Sequence, residues 1–356
     1  MKLKLKVKRS EEIQPLIGGD ERISTKKASL ESLFILANEI REKCEDYTIP
    51  DYLVSKSQFF GDCCGHGVLD YPISDEDKRS SALSEFSLGQ LCVKLGIPTR
   101  YIQRCMNAGE FDLASENVNT WLRSYPKSLF IREYDSGIRA VLSNRYSVLD
   151  THDILEVLGE SLPLDEYTIK GHFLSPERFH ARIVQREMIN IEGEDLYAGI
   201  QIDSSDVGRS TLVARFMLFK QICTNGLCIA KSKGTLFVQK HIGIDKDEFR
   251  DSFSRSLSNI PLLIDNAVSF VEAARKDKNA FAVKNLNEEQ MKQFINRVKE
   301  NSKLSEDGVN KVIDLMGEKY DFSRWGFVNS LTEVAQMYSL ERRIEIEKYA
   351  GNILVA

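Results

Sequence analysis

A chain of 356 residues, 42% hydrophobic and 28% charged, has a globular composition and the length to bury a substantial core, which excludes disorder along most of it. The formal net charge of −5 excludes an overall basic coat for nucleic acid and leaves only a local basic face open. No apolar run reaches the roughly 18 residues of a membrane helix. Seven cysteines, an odd number in a long chain, point to free thiols in the cytoplasm rather than to a disulfide framework.

Lysines at 2, 4, 6 and 8 alternate with Leu3, Leu5 and Val7, the period of a half-buried edge strand. Leu30, Leu33, Leu36 and Ile40 recur at helical spacing within 25–45, whereas Tyr52 to Pro72 has no readable period. Phe86 to Met106 reads as a helix, a Gly96-Ile97-Pro98 break and a second helix from Thr99, which would carry Arg100 and Arg104. Helix-turn-helix modules and plain helical hairpins share that arrangement. A third helix is expected near Ala114–Arg123. From Pro126 the period becomes two: Ser128–Tyr134 and Ile138–Leu142 flank a turn at Asp135-Ser136-Gly137. Thr151 is expected to cap a helix to Leu158. Strands are expected at Tyr167–Phe173, Arg178–Val184, Leu196–Asp203, Leu212–Cys223 (where a helix fits as well) and Leu236–His241. Helices follow at 245–275, broken or kinked by Pro261, and at 286–301, 306–318 and 324–350. Clustered strands before clustered helices predict an α+β fold: a helical N-terminal lobe, a central antiparallel and curved sheet, and a helical C-terminal region. The expected divisions are 1–80, 81–244 and 245–356, with linkers near 70–82 and 276–286.

Enzymatic motifs are missing. Neither a Gly-x-Ser-x-Gly elbow nor a phosphate-binding glycine loop occurs, and none of the five histidines has a triad context. Cys63, Cys64 and His66 offer three soft ligands, but no second pair completes a four-ligand zinc site, so they read as free side chains. Cys223 and Cys228 are spaced too widely for a redox motif; Asn225-Gly226 between them reads as a turn. Asp195, Asp203 and Asp206 are the acids a metal-dependent nuclease would need to bring together, and a solvated turn accounts for them equally. No catalytic residue, metal or cofactor is therefore expected.

Charge pattern carries more. Between Asp206 and Asp245 no acidic residue occurs, while Arg209, Arg215, Lys220, Lys231, Lys233 and Lys240 alternate with Phe216, Phe219 and Phe237. Cations that pair with phosphates and rings that stack on bases are what a sequence-tolerant single-strand site needs. A core strand with cations on separate faces has the same composition. Arg132, Arg139, Arg145, Arg178, Arg182 and Arg186 add positive charge upstream.

The segment from Gly199 to Leu227, with Ser204-Ser205-Asp206-Val207-Gly208-Arg209-Ser210 and Cys223-Thr224-Asn225-Gly226-Leu227, resembles the phage/plasmid-like family catalogued as domain of unknown function 932. Phe86–Cys105, Gln239-Lys240-His241-Ile242-Gly243 and Trp325–Glu333 fit the same resemblance, which spans about 85–350. It implies a mobile-element origin and a role in phage or plasmid DNA metabolism, and it brings no catalytic residues with it.

The expectation is a non-enzymatic protein binding single-stranded nucleic acid, as an annealing factor and a homo-oligomer, through Arg209, Arg215, Lys220, Lys231, Lys233 and Lys240, with Phe216 and Phe237 stacking on bases. The alternative is an interaction protein that inhibits a host defence or replication protein through its helical C-terminal third. A metal-dependent nuclease is the third reading. No membrane partner is expected.

Overall fold

A computed structural model describes residues 28–62, 66–163, 165–191, 194–220, 225–228 and 234–356. The strand expected at 2–8, the pair Cys63 and Cys64, and Lys231 and Lys233 lie outside the described residues.

Helix α1 (Leu30–Glu42) starts at Ser29, whose hydroxyl accepts the Ser32 N–H, and buries Leu33, Leu36, Ala37 and Ile40. The chain then runs through β1 (Cys44–Ile49), the single turn α2 (Asp51–Val54), β2 (Gln58–Gly61), β3 (Gly67–Pro72) and β4 (Lys78–Leu83). Three helices follow, α3 (Glu85–Leu95), α4 (Thr99–Asn107) and α5 (Phe111–Leu122), and then the hairpin β5 (Leu129–Tyr134) and β6 (Gly137–Ser143). The six strands form a mixed sheet in the order β1-β5-β6-β4-β3-β2, in which β4 and β6 are parallel. The anticipated linker at 70–82 is the β3–β4 hairpin; its acidic run lies in the connection between the two strands. Gly96, at φ 71°, ends α3 in the left-handed conformation, so the hairpin read from Phe86 to Met106 forms with its break where expected. The β5–β6 loop is tighter than the glycine suggested. Tyr134 pairs with Gly137, leaving only Asp135 and Ser136, at φ 51° and 66°, to turn the chain.

The second sheet is antiparallel throughout. After α6 (Thr151–Ser161) come β7 (Tyr167–Leu174), β8 (Phe179–Ile191), β9 (Glu194–Ser204), β10 (Leu212–Lys220), β11 (Asn225–Cys228) and β12 (Thr235–Gln239). Asp150, rather than Thr151, occupies the cap position of α6. Strand β12 pairs with Leu212–Arg215 of β10, and β11 with Met217–Lys220, so both share one side of that strand. The sheet is therefore five strands across and open, from β7 to the β11/β12 edge, without the curl anticipated for it. Asn225 and Gly226 are not a turn. They pair with Lys220 and Phe219, giving backbone partners to the second half of β10.

Six helices complete the chain: α7 (Lys246–Leu257), α8 (Ile260–Lys276), α9 (Glu288–Ser302), α10 (Glu306–Glu318), α11 (Arg324–Ala335) and α12 (Leu340–Leu354). Pro261 begins α8 instead of kinking a longer helix, since a first-turn residue needs no N–H partner. The helix expected at 324–350 is two helices. Trp325 to Thr332 in α11 are all buried, so that helix runs inside the bundle.

Two hydrophobic cores result. One lies between the mixed sheet and α2–α5, and includes Ile49, Phe59, Leu91, Ile102, Val118 and Ile131. The larger joins the antiparallel sheet to α6–α12 and also takes in α1. Among the described residues no helix is long and apolar enough to cross a membrane.

Candidate functional site

The acid-free segment does not form one surface. Residues alternate across β10, so Ala214 and Phe216 point into the large core while Arg215 points to the other face. The Phe216 ring is fully buried and is not presented to a ligand. Phe237, opposite Ala214, lies against Phe249 and Phe253 of α7 at ring separations of 6.0 and 5.0 Å. Arg215 donates to Asp203 at 3.0 Å and is largely neutralised there. Lys220 ends the nine-residue β10, about 27 Å from Leu212 at the rise of a strand. Exposed Arg209 and Lys240 sit at the opposite end, next to Leu212 and its partner Gln239. The upstream arginines diverge as well: Arg132, Arg139 and Arg182 are buried, not surface cations.

Arg182 stays within the second lobe, while Arg132 and Arg139 mark the junction of the two lobes. Arg132, from β5, donates to Asp46 of β1 at 2.8 and 3.0 Å and to Asp150 at the start of α6 at 2.7 and 2.9 Å. It also donates to the Asp206 carbonyl at 2.7 Å. Burial disfavours both charges, but the pair outweighs that cost: Asp150 is held below the usual carboxylate range and Arg132 stays charged. The Asp206 carboxyl accepts the Thr151 N–H and hydroxyl, each at 3.0 Å, and burial together with the Asp150 charge pushes its pKa up to about 7. Tyr146 donates to the Asp206 carbonyl at 3.0 Å and stacks on His241, their rings 5.4 Å apart and nearly parallel. Burial pushes the His241 pKa down to about 4, so the imidazole is neutral at pH 7.

The turn at 205–210 that supplies Asp206 to this junction also walls an open groove of about 760 Å³ on its outer side. The opposite wall is α3 with the start of α4. Gln90 ties the two walls together, donating to the Val207 carbonyl at 2.8 Å and accepting the Val141 N–H at 2.9 Å. Gly208, at φ 73°, is needed there: a Cβ would stand 2.9 Å from Leu142 Cδ2. Phe86, Val93, Lys94, Thr99, Gln103 and Arg209 line the groove, with Glu85 and Glu177 among them. The Arg209 guanidinium lies 5.8 Å from the centre of the Phe86 ring.

A family model described as "Domain of unknown function (DUF932)" matches residues 139–352. The chain belongs to the DUF932 family. No curated protein and no solved structure matches it. The DUF932 match begins within β6 at Arg139, so the α3–α4 hairpin that forms one groove wall lies outside it. Two of the segments that carry the DUF932 resemblance meet at the lobe junction. Asp206, Gly208 and Arg209 come from the first and His241 from the second, and the Tyr146–Ile242 bridge holds the second in place. The Trp325–Glu333 segment serves packing instead: Trp325 donates to Glu194 at 3.0 Å, and a Cβ on Gly326 would stand 2.1 Å from the Asp321 carbonyl oxygen.

Two clusters in the DUF932 chain have the look of catalytic chemistry without its geometry. His180 Nδ1 lies 2.8 Å from Asp203, whose carboxyl His180 and Arg215 hold below the usual range despite burial. This resembles the orienting half of a triad. Yet His180 is fully buried, and its Nε2 has no hydrogen-bond partner among the described residues. Over the same face of the sheet, α12 contributes Glu347, which accepts from Arg182 at 2.6 Å. His152, Asp153 and Glu156 on α6 lie close enough to share a metal ion. Cations already occupy them: Arg41 is 2.8 Å from His152, Lys246 reaches Asp153 at 2.9 and 3.0 Å, and Arg250 reaches Glu156 at 2.8 Å. The acids considered for a nuclease diverge. Asp195 and Asp203 are eight residues apart on β9, about 27 Å, and Asp206 turns into the junction.

Proposed function

We propose that the protein binds single-stranded nucleic acid without performing chemistry on it, and that the strand lies in the groove between α3–α4 and the 205–210 turn. The observation that carries this reading is Arg209 over the Phe86 ring in an open groove that is also lined by half-buried Lys94 and the Gln103 amide. A cation for phosphate, a ring for a base and amides for base edges are the elements that single strands use. Exposed Arg100 on α4 and Lys240 beyond β12 extend the positive charge outward. Glu85 and Glu177 partly offset it, so affinity is modest and strongly salt dependent. Annealing and assembly of copies on a strand belong to the same reading. The binding set differs from the one the acid-free segment suggested: Arg209 remains, Lys94 and Phe86 join it, and Phe216 and Arg215 leave.

Fluorescence anisotropy with a labelled 40-mer, read at low salt and across a salt series, tests it. Binding is expected to weaken by roughly tenfold or more on Arg209→Glu, since one phosphate contact is lost and one carboxylate added. No binding by the wild-type chain at low salt ends the proposal.

A protein partner is the second reading. Tyr101, Leu113 and Trp121 on α4 and α5 are 39, 43 and 53% exposed, and large exposed apolar side chains of this kind are what a protein contact buries. A partner retained from lysate after nuclease treatment, and lost on Trp121→Ser, favours it.

A further inference from the structure

The lobe junction contains a buried cation whose hydrogen bonds the protein leaves unmade. Arg139, on β6, is 4% exposed. Its Nη1 donates to the Pro176 carbonyl, while Nε and Nη2 have no acceptor among the described residues. A guanidinium cannot escape this by losing its proton, and buried charged donors demand acceptors. Arg139 lines a small enclosed cavity of about 10 Å³, together with Arg41, Cys44, Asp150, Thr151 and Asp206. That volume admits a single atom-sized guest.

None of the lining groups accepts from Nε or Nη2 of Arg139: Asp150 bonds Arg132, Asp206 Oδ1 bonds Thr151, and the Cys44 thiol donates to the Ile40 carbonyl. We infer that this cavity is a binding site for one small monovalent anion of halide size, held by Nε and Nη2 of Arg139.

Charge balance supports an anion over water. At the cavity and in its direct ion pairs, Arg41, Arg132 and Arg139 face the carboxyls of Asp46, Asp150 and Asp206, while Lys246 and Arg250 meet Asp153, Glu156 and Glu160 on α6. His241 and His152 are neutral, since burial lowers both pKa values, and burial keeps Tyr146 and Cys44 protonated. Around the cavity three positive charges therefore meet three acids, of which Asp206 is the one whose pKa lies at about 7. When Asp206 holds its proton, one positive charge is left over, and a halide cancels it. Anion uptake is thus tied to one proton. The cavity's size excludes sulfate and carboxylates, so the site is distinct from phosphate binding in the groove.

The test uses the full-length chain. ³⁵Cl line broadening at pH 6.5 is expected to show a bound population that bromide displaces and gluconate does not. Arg139→Gln is expected to abolish that excess broadening. Crystals soaked in sodium bromide should show an anomalous peak within hydrogen-bond distance of Arg139 Nε and Nη2. Chloride affinity should fall about tenfold per pH unit above pH 7 and become flat in Asp206→Asn. That second variant also decides the matter if Arg139→Gln does not fold. Bromide-soaked crystals with no anomalous peak at Arg139, or broadening equal in wild-type and folded Arg139→Gln protein, would overturn the inference and leave the cavity to water.

Discussion

Replacing Arg132 by methionine is the sharpest perturbation of the junction. The guanidinium is 1% exposed and spends its N–H groups on two carboxylates and one carbonyl at 2.7–3.0 Å. Methionine has nearly the same reach and none of the donors. Removing one member of a buried ion pair costs about 3–5 kcal/mol, chiefly because the other charge is left behind. Asp46 is 29% exposed and can rehydrate, whereas the Asp150 side chain is 10% exposed and cannot, which puts the expected loss at about 3–4 kcal/mol. That is a large fraction of the 5–15 kcal/mol typical of a folded protein. The chain provides its own reporters, since it has two tryptophans: Trp121 stands in the first lobe and Trp325 in the second. In urea titrations of Trp121→Phe and Trp325→Phe backgrounds, the two transitions should coincide with Arg132 present and separate in Arg132→Met. Adding Asp150→Asn to Arg132→Met should recover part of the loss, because the orphaned buried charge goes with it. A loss below about 1 kcal/mol, or an Asp150→Asn cost that simply adds, would refute the assignment of Arg132 as the clamp between lobes.

Asp206 has a folded pKa of about 7, above an unfolded value near 3.9, so the native state holds a proton that the unfolded chain has released. Stability therefore falls as pH rises toward and through about 7, and levels off above it. His241, lowered to about 4, and His152, His172 and His180, also lowered by burial, act in the opposite sense until pH is well above 6.5, and they do so with or without the Asp206 carboxyl. Urea midpoints of wild-type protein should therefore decline relative to those of Asp206→Asn between pH 6.5 and 8; parallel profiles would contradict the assignment. At Gly199, in the middle of β9, a Cβ would stand 2.5 Å from the Ile183 carbonyl oxygen and 3.1 Å from Val184 Cα. Gly199→Ala should cost about 1–3 kcal/mol through overpacking, and an unchanged thermal midpoint would contradict the strand packing.

Much of the fold can be read locally. Gly96 and Pro98 punctuate the α3–α4 hairpin, and alternation across 167–203 marks the strands, because both signals depend only on near neighbours in sequence. The site is a different matter. Arg132 finds Asp46 at a separation of 86 residues and Arg182 finds Glu347 at 165, so nothing near either arginine reveals that it is buried and paired. Both look like surface cations when taken alone. Part of the answer was nevertheless present: the period of two in β10 already sets Arg215 and Phe216 on opposite faces, which forbids a shared binding surface. The value of Phe86 and Lys94 could not be seen, since Arg209 meets them only through the packing of one lobe on the other.

Helix α1 packs against α6 and β7, and the whole first lobe is threaded between that helix and its seat. On the ribosome, the apolar stripe of Leu33, Leu36 and Ile40 is thus made early and finds its seat late. The first lobe can collapse in the meantime around Ile49 to Val141, leaving that stripe uncovered until α6 and β7 follow. A fragment trimmed to 139–352 would begin life with the same seat open, so the boundary drawn by family likeness and the boundary of a self-sufficient folding unit fall at different places.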